Sequence, residues 1–148
     1  MDRFIIKRET MATALKTLEN AIQDYKFECA KTQNLTIIQL PRTLQTYRDS
    51  VIHRFEYCVD YFWKYLKVYI EEIAKLTVDA KNPRAIFRSA CNGGLMSEAQ
   101  TILALDMLDA RNNTTHTYNE ALANKICQEI PQYYELMRTI LNQLSKEL

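Results

Sequence analysis

The stretch PRTLQTYRDSVIHRFEYCVDYFWKYLKVYIEEIAKLT, residues 41–77, carries the longest helical pattern in the chain. Its apolar side chains recur every three or four residues, which is the spacing of one face of an α-helix. These side chains are Leu44, Tyr47, Val51, Phe55, Cys58, Phe62, Leu66, Tyr69, Ile73 and Leu76. Pro41 suits the first turn of a helix, where a missing N–H is tolerated. We predict that this segment is the central helix of the fold.

Similar spacing predicts helices over residues 7–31, 83–90, 97–111 and 118–144. Ser97 and Gln100 form a capping-box pattern at the start of one of them. The chain has two glycines and three prolines, too few for the tight turns of a β-sandwich or barrel. We therefore predict an all-α fold, an antiparallel up-and-down bundle of four to five helices.

Four features interrupt this helical pattern. Residues 32–40 and 79–82 are predicted linkers, and Gly93 with Gly94 is predicted to end a short helix. Pro131 lies inside the last helical segment, where its missing backbone donor predicts a kink.

The chain has 148 residues, of which 47% are hydrophobic, and this size suits one domain over residues 1–148. Nineteen Lys and Arg against eighteen Asp and Glu give a net charge of +1. Such a balance provides no general attraction to nucleic acid or to an anionic membrane. Any anion-binding site must therefore be local.

The four cysteines are about thirty residues apart and form no C-x-x-C pair, and only two histidines occur. We expect reduced, buried thiols and no metal or cofactor. No apolar run reaches the length of a membrane span, and residues 1–10 lack the apolar core of a signal peptide. We therefore expect a cytoplasmic protein with no membrane contact.

Residues 109–118, DARNNTTHTY, gather a cation, an imidazole, hydroxyls and amides between two predicted helices. On one continuous helix Arg111 and His116 would lie about 140° apart. A bend over residues 112–115 would let both side chains reach one phosphate. An imidazole exchanges protons near neutral pH and a guanidinium stabilises charge on a phosphoryl oxygen, so the pair could cleave RNA without a metal.

A structural interpretation of the same residues competes with this one. Asp109 would then pair with Arg111 or His116 in a polar turn that catalyses nothing. One histidine does not conveniently serve as both acid and base in a single step. A two-fold dimer that presents two copies of the motif to one cleft therefore suits the nuclease interpretation.

An aromatic stripe on the central helix is the feature that predicts a dimer. Its tyrosines step by four residues, at Tyr57, Tyr61, Tyr65 and Tyr69. Such a stripe is typical of a packing surface, and less often of a base-stacking platform or a contact with a second subunit. We expect the protein to form a homodimer.

Arg84 and Arg88 lie four residues apart on one face of the helix that begins at Pro83. An arginine near a helix N-terminus opposes the helix dipole unless an acid or another anion offsets it. Arg84 and Arg88 are therefore candidates for an ion pair with another helix or for a phosphate contact. By contrast, Glu56, Asp60 and Lys64 are spaced as a solvated helix face.

Three blocks of the sequence resemble the nucleotidyltransferase substrate-binding protein family of the HEPN superfamily. They are RFEYCVDYFWKYLK at 54–67, NPRAIFRSACNGGL at 82–95 and DMLDARNNTTHTY at 106–118. The third block keeps the Arg-x4-His-x-Tyr motif of the family. The blocks occur in the family's order, and the similarity spans nearly the whole chain.

The resemblance implies a dimeric helical partner of a separate minimal nucleotidyltransferase, usually encoded next to it. It also implies two possible roles. The protein is either a toxin–antitoxin component, a metal-independent endoribonuclease that uses Arg111 and His116, or a non-catalytic adaptor that binds the transferase or its substrate. In the first role the transferase silences the nuclease by adding nucleotides to Tyr118, and Asn112, Arg84 and Arg88 join the nucleotide- or RNA-binding set. A scaffold without a partner is a third possibility.

Overall fold

The computed structural model describes residues 2–31, 41–78 and 80–145. Within these ranges the chain forms α-helices and no strand. The helices are α1 Asp2–Ala30, α2 Arg42–Val68, α3 Pro83–Asn92, α4 Glu98–Asn113 and α5 Glu120–Ser145. A π-helical segment, Tyr69–Ile73, extends α2, and a 3₁₀ turn, Thr114–His116, follows α4. The all-helical prediction is confirmed, whereas the predicted linker at 32–40 and residue 79 of the second linker lie outside the described residues.

Helix α2 is the centre of the bundle, because it packs against each of the other four helices. Thr17 meets Tyr57 and Phe4 meets Tyr65, so α1 and α2 run in opposite directions. The apolar face of α2 is buried along its whole length, which is what its 3.6-residue periodicity predicts.

Helix α5 runs alongside α2 in the same direction, since Arg48 meets Glu120 near one end and Phe55 meets Tyr133 farther along. Helices α4 and α5 are joined by a short turn and pack against each other. The long helices α1, α2, α4 and α5 therefore form the predicted up-and-down bundle, and α3 is a short helix packed on α2 and α4.

Several predicted boundaries were displaced. Helix α1 begins at Asp2 rather than near residue 7, because Phe4 is fully buried and belongs to the core. The capping box of Ser97 and Gln100 is confirmed, and Gly94 follows α3 with a φ of 77° that suits glycine. Helix α5 continues through Pro131.

The tyrosine stripe does not remain on one face of α2. Tyr65 and Tyr69 are buried in the core, whereas Tyr57 is half-buried and Tyr61 is exposed. A four-residue step overshoots the 3.6-residue turn by about 40°, so three such steps rotate the stripe by roughly 120°. The aromatic surface left for another molecule is therefore smaller than the sequence indicated.

All four cysteines are free thiols. Cys58 and Cys127 are buried, and this burial raises the pKa of each to about 12, while Cys29 and Cys91 are half-buried. The expectation of four buried thiols is thus wrong for Cys29 and Cys91. In the described part of the chain, none of the helices combines the length and apolar character needed to cross a bilayer.

Candidate functional site at the turn between α4 and α5

Threonine hydroxyls build the turn that follows α4. Thr114 donates to the carbonyl oxygen of Arg111 at 2.7 Å, and Thr115 donates to that of Asn112 at 3.2 Å. Thr117 donates to the carbonyl oxygen of Thr114 at 2.9 Å. These bonds add hydroxyl donors to carbonyl groups at the end of the helix, where the Arg111 and Thr114 carbonyl oxygens also accept the backbone N–H groups of Thr114 and Thr117. The polar residues 112–115, which predicted the end of a helix, therefore stabilise the 3₁₀ turn that follows α4.

Asn119 starts the next helix. Its side-chain oxygen accepts the backbone N–H of Leu122 at 3.1 Å, as an N-cap does, and its own N–H donates to the carbonyl oxygen of His116 at 3.1 Å. The helix therefore begins at Glu120 rather than at the predicted Tyr118. A break does separate Arg111 from His116, as the sequence predicted, but α4 extends to Asn113 before it.

The guanidinium of Arg111 faces α2. It donates to both carboxylate oxygens of Asp60, at 3.3 and 3.1 Å, and lies 3.6 Å from the carboxylate of Glu56. It also donates to the Thr114 hydroxyl at 3.3 Å, and its side chain is 24% exposed. Glu56 and Asp60 are partly solvated, as the sequence predicted, and these two acids also offset the charge of Arg111.

His116 and Tyr118 face the solvent. Their rings contact each other edge to face, with centroids 6.1 Å apart, and Tyr118 is 84% exposed. No hydrogen bond or ion pair joins Arg111 to His116 among the described residues. The two motif residues therefore share one turn, with the guanidinium against α2 and the imidazole on the surface beside Tyr118.

The remaining predicted residues lie around this turn. Asn112 is exposed on the last turn of α4. Arg84 forms an ion pair with Asp109 across α3 and α4, so the interhelical ion pair considered for Arg84 is present and Asp109 pairs with neither Arg111 nor His116. Arg88 is exposed, and no carboxylate lies within ion-pair distance of it in the described ranges.

A groove of about 350 Å³ between α4 and α5 borders the turn. Asp106, Asp109 and Glu129 line it, together with one cation, Lys125. Burial raises the pKa of Tyr133 in this groove to about 12, and the nearby carboxylates add to the effect. The surroundings of the turn are therefore more acidic than a phosphate backbone would favour.

Sequence reasoning missed Arg48, the most buried charged side chain in the described ranges at 2% exposure. It donates to Glu120 at 2.6 and 3.3 Å, to Asn124 at 2.9 Å and to Asp49 at 3.0 Å. The hydrogen bond from Arg48 lowers the pKa of Glu120. The network attaches the first turn of α5, just after Tyr118, to α2.

A signal for Arg48 exists in the sequence. Leu44, Arg48, Val51 and Phe55 step by four, three and four residues, so the arginine occupies a position of the buried stripe. An arginine there requires partners when it is buried. Within the described residues, no group of three or more His, Cys, Asp or Glu side chains is arranged to hold a metal ion.

The chain is similar to known proteins over most of its length. The family model described as "nucleotidyltransferase substrate binding protein like" matches residues 7–146. A solved structure, the crystal structure of a protein from Thermus thermophilus, is 35% identical, with a TM-score of 0.64 over 86% of this chain and 98% of that one. No curated protein matches the chain. The match over nearly the whole chain establishes that this protein belongs to the nucleotidyltransferase substrate-binding-like family.

Proposed function

We propose that this protein is the partner subunit of a separate nucleotidyltransferase and presents Tyr118 to it. Membership of the family supports the partner role. The observation that carries the second part is the exposure of Tyr118, which at 84% is by far the most exposed large apolar or aromatic side chain described. An enzyme can reach its hydroxyl group without unfolding the bundle.

The proposed reaction uses a nucleoside triphosphate bound by the transferase. The Tyr118 hydroxyl oxygen attacks the α-phosphorus, and the bond from that phosphorus to the bridging oxygen breaks. Pyrophosphate leaves, the phenol proton passes to a base of the transferase, and a phosphodiester joins the nucleotide to Tyr118. The nucleotide would then lie beside His116, whose ring already contacts Tyr118.

The charges around the turn favour a protein partner over a bare RNA backbone. Glu56 and Asp60 offset the charge of Arg111, and the adjacent groove carries three carboxylates and one lysine. Arg88 is an exposed cation on α3, free of carboxylate partners in the described ranges, and is the proposed contact for a phosphate or an acidic group of the transferase. Arg84 lies one helical turn before Arg88, and its ion pair with Asp109 connects α3 to the end of α4 that carries Asn112.

The test uses the 148-residue chain and a minimal nucleotidyltransferase, which the family resemblance implies is encoded next to its gene. We expect the two to form a complex and, with nucleoside triphosphate and Mg²⁺, the mass of this chain to rise by whole nucleotides. Tyr118→Phe should abolish the addition and preserve the complex. Tyr61→Phe, at the exposed tyrosine of α2, is the matched control and should leave the addition unchanged. Absence of a complex would contradict the partner role, and modification of Tyr118→Phe would contradict the assignment of Tyr118.

A second candidate function is metal-independent RNA cleavage by Arg111 and His116. The observation in its favour is that one turn carries both groups, with the guanidinium oriented by Thr114 and the imidazole open to solvent. A two-fold dimer would bring two such turns to one cleft. Structured RNA incubated with the protein and a chelator tests this. Cleavage that His116→Ala removes supports the nuclease. Intact RNA, or a monomer in light scattering at micromolar concentration, supports the adaptor.

A further inference from the structure

A second surface, away from the turn, lies between the N-terminal half of α1 and the middle of α2. The groove there has a volume of about 420 Å³, within the usual range of small-molecule sites. Its lining from Ile6 to Thr17 extends over about 16 Å of helix α1. Nothing in the proposed function uses this groove.

The two walls of the groove differ in chemistry. On one side Thr10 and Thr13 of α1 provide hydroxyl groups, while the Thr17 hydroxyl is already bonded to the Ala14 carbonyl oxygen and to the Tyr57 hydroxyl at the end of the groove. On the other side lie the rings of Tyr57 and Tyr61 from α2, whose centroids are 6.0 Å apart. A planar ring with polar edges fits such a groove, because it can stack on the aromatic side and form hydrogen bonds on the hydroxyl side.

Opposite charges lie near the two ends of the groove, with Glu9 in its lining and Arg54 beside it, bonded to Thr17. Near Thr17, the guanidinium of Arg54 donates to the Thr17 carbonyl oxygen at 2.8 Å. No carboxylate of the described residues lies within ion-pair distance of Arg54, and its other donors remain available. At the opposite end lies the exposed carboxylate of Glu9. A ligand with an anion at one end and an amino group at the other would match this polarity.

We propose that this groove binds a nucleotide, with the base against Tyr57 and Tyr61 and the phosphate toward Arg54. Glu9 accepts a hydrogen bond from the exocyclic amine of adenine, cytosine or guanine, which disfavours uracil. The same chemistry is offered by a free nucleotide and by one residue of a single-stranded RNA. The site is independent of Tyr118 and extends the proposed function by giving the protein a nucleotide contact of its own.

The purified chain is titrated with AMP, UMP, adenosine and ribose 5-phosphate, and binding is measured by calorimetry and ligand-observed NMR. We expect AMP to bind more tightly than adenosine, and both more tightly than ribose 5-phosphate. UMP should bind several-fold more weakly than AMP. No detectable binding of AMP, or equal binding of AMP and ribose 5-phosphate, would overturn the proposal.

Two variants test base stacking and the phosphate contact separately. Tyr61→Leu keeps an apolar side chain but removes a stacking surface, and should weaken AMP binding by about 10-fold. Arg54→Gln should weaken AMP but leave adenosine unchanged. Phe27→Leu, at an exposed aromatic side chain elsewhere on α1, is the matched control and should have no effect.

Two further measurements, the affinity for an oligoadenylate and the oligomeric state, complete the test. An oligoadenylate that binds far more tightly than AMP assigns the site to RNA, whereas equal affinities assign it to a free nucleotide, and both results support the groove. A dimer that forms without ligand and is lost in Tyr61→Leu would identify the groove as an interface between copies and overturn the proposal. Because no transferase is present and Tyr118→Phe should bind AMP normally, failure here leaves the proposed function untouched.

Discussion

Arg48 and Arg111 both connect α2 to the second half of the chain, but they differ in burial. The side chain of Arg48 is 2% exposed and bonded to Glu120, Asp49 and Asn124, whereas that of Arg111 is 24% exposed and bonded to Asp60. A guanidinium that water cannot reach must keep its protein partners, while a partly hydrated one can exchange them at small cost. Arg48 is therefore an arginine that stabilises the fold, whereas Arg111 can exchange its carboxylate partners for a bound ligand.

The largest expected effect is that of Arg48→Ala. Truncation removes a buried side chain and three sets of hydrogen bonds, and should lower the free energy of unfolding by about 3 kcal/mol. Urea unfolding at neutral pH measures it. Arg42→Ala, at an exposed position of the same helix, is the control and should change stability little. If Arg48→Ala lowers the free energy of unfolding by less than about 1 kcal/mol, Arg48 and Arg111 do not differ in their contribution to stability.

Acid should weaken the same network. The hydrogen bond from Arg48 lowers the pKa of Glu120 below its ordinary value near 4.5, so between the two values the unfolded chain binds more protons than the folded one. This contribution to stability is complete above the ordinary value and is lost as pH falls through the folded pKa. Glu120→Gln should therefore flatten the acid limb of a stability–pH curve. An unchanged limb would show that Glu120 is not coupled to Arg48.

Arg111→Ala should have a smaller effect on stability, about 1 kcal/mol, because both of its carboxylate partners are partly hydrated. A double-mutant cycle with Asp60→Asn measures the coupling, which should fall as salt is added. A loss as large as that of Arg48→Ala would mean that Arg111 is a structural residue and would count against its recruitment by phosphate.

The smallest effect should be that of Arg84→Gln. Its ion pair with Asp109 lies on the surface, with side chains 45% and 59% exposed, and such pairs contribute about 0.5 kcal/mol or less. Thermal unfolding of this variant should be nearly superimposable on that of the wild type. A clear loss of stability would show that side-chain burial alone does not predict the order of the stability losses at Arg48, Arg111 and Arg84.

Most of the fold could be predicted because helical periodicity is local. The stripe of α2, the capping box at Ser97 and the break after Arg111 each depend on residues within a few positions of one another. The errors occurred where distant residues decide. Phe4 extends α1 because the core covers it, and Tyr65 and Tyr69 are buried because the helix turns them toward Phe4.

The candidate site was predicted as a set of residues but not as an arrangement. The spacing identified Arg111, His116 and Tyr118, and the polar run between the first two identified a break. Nothing local indicated that Glu56 and Asp60, more than fifty residues earlier, would offset the charge of Arg111. Two partners of Arg48, Glu120 and Asn124, are more than seventy residues away, so its role emerged only from the packing of α2 against α5.

The sequence by itself determined the five helices and the motif of the turn, because each follows from the spacing of side chains along a single helix or turn. The tertiary structure alone decided which arginine is buried, which acids meet Arg111 and how fully Tyr118 is exposed. Charge pairing and burial depend on which helices lie side by side, and that arrangement is a property of the whole bundle.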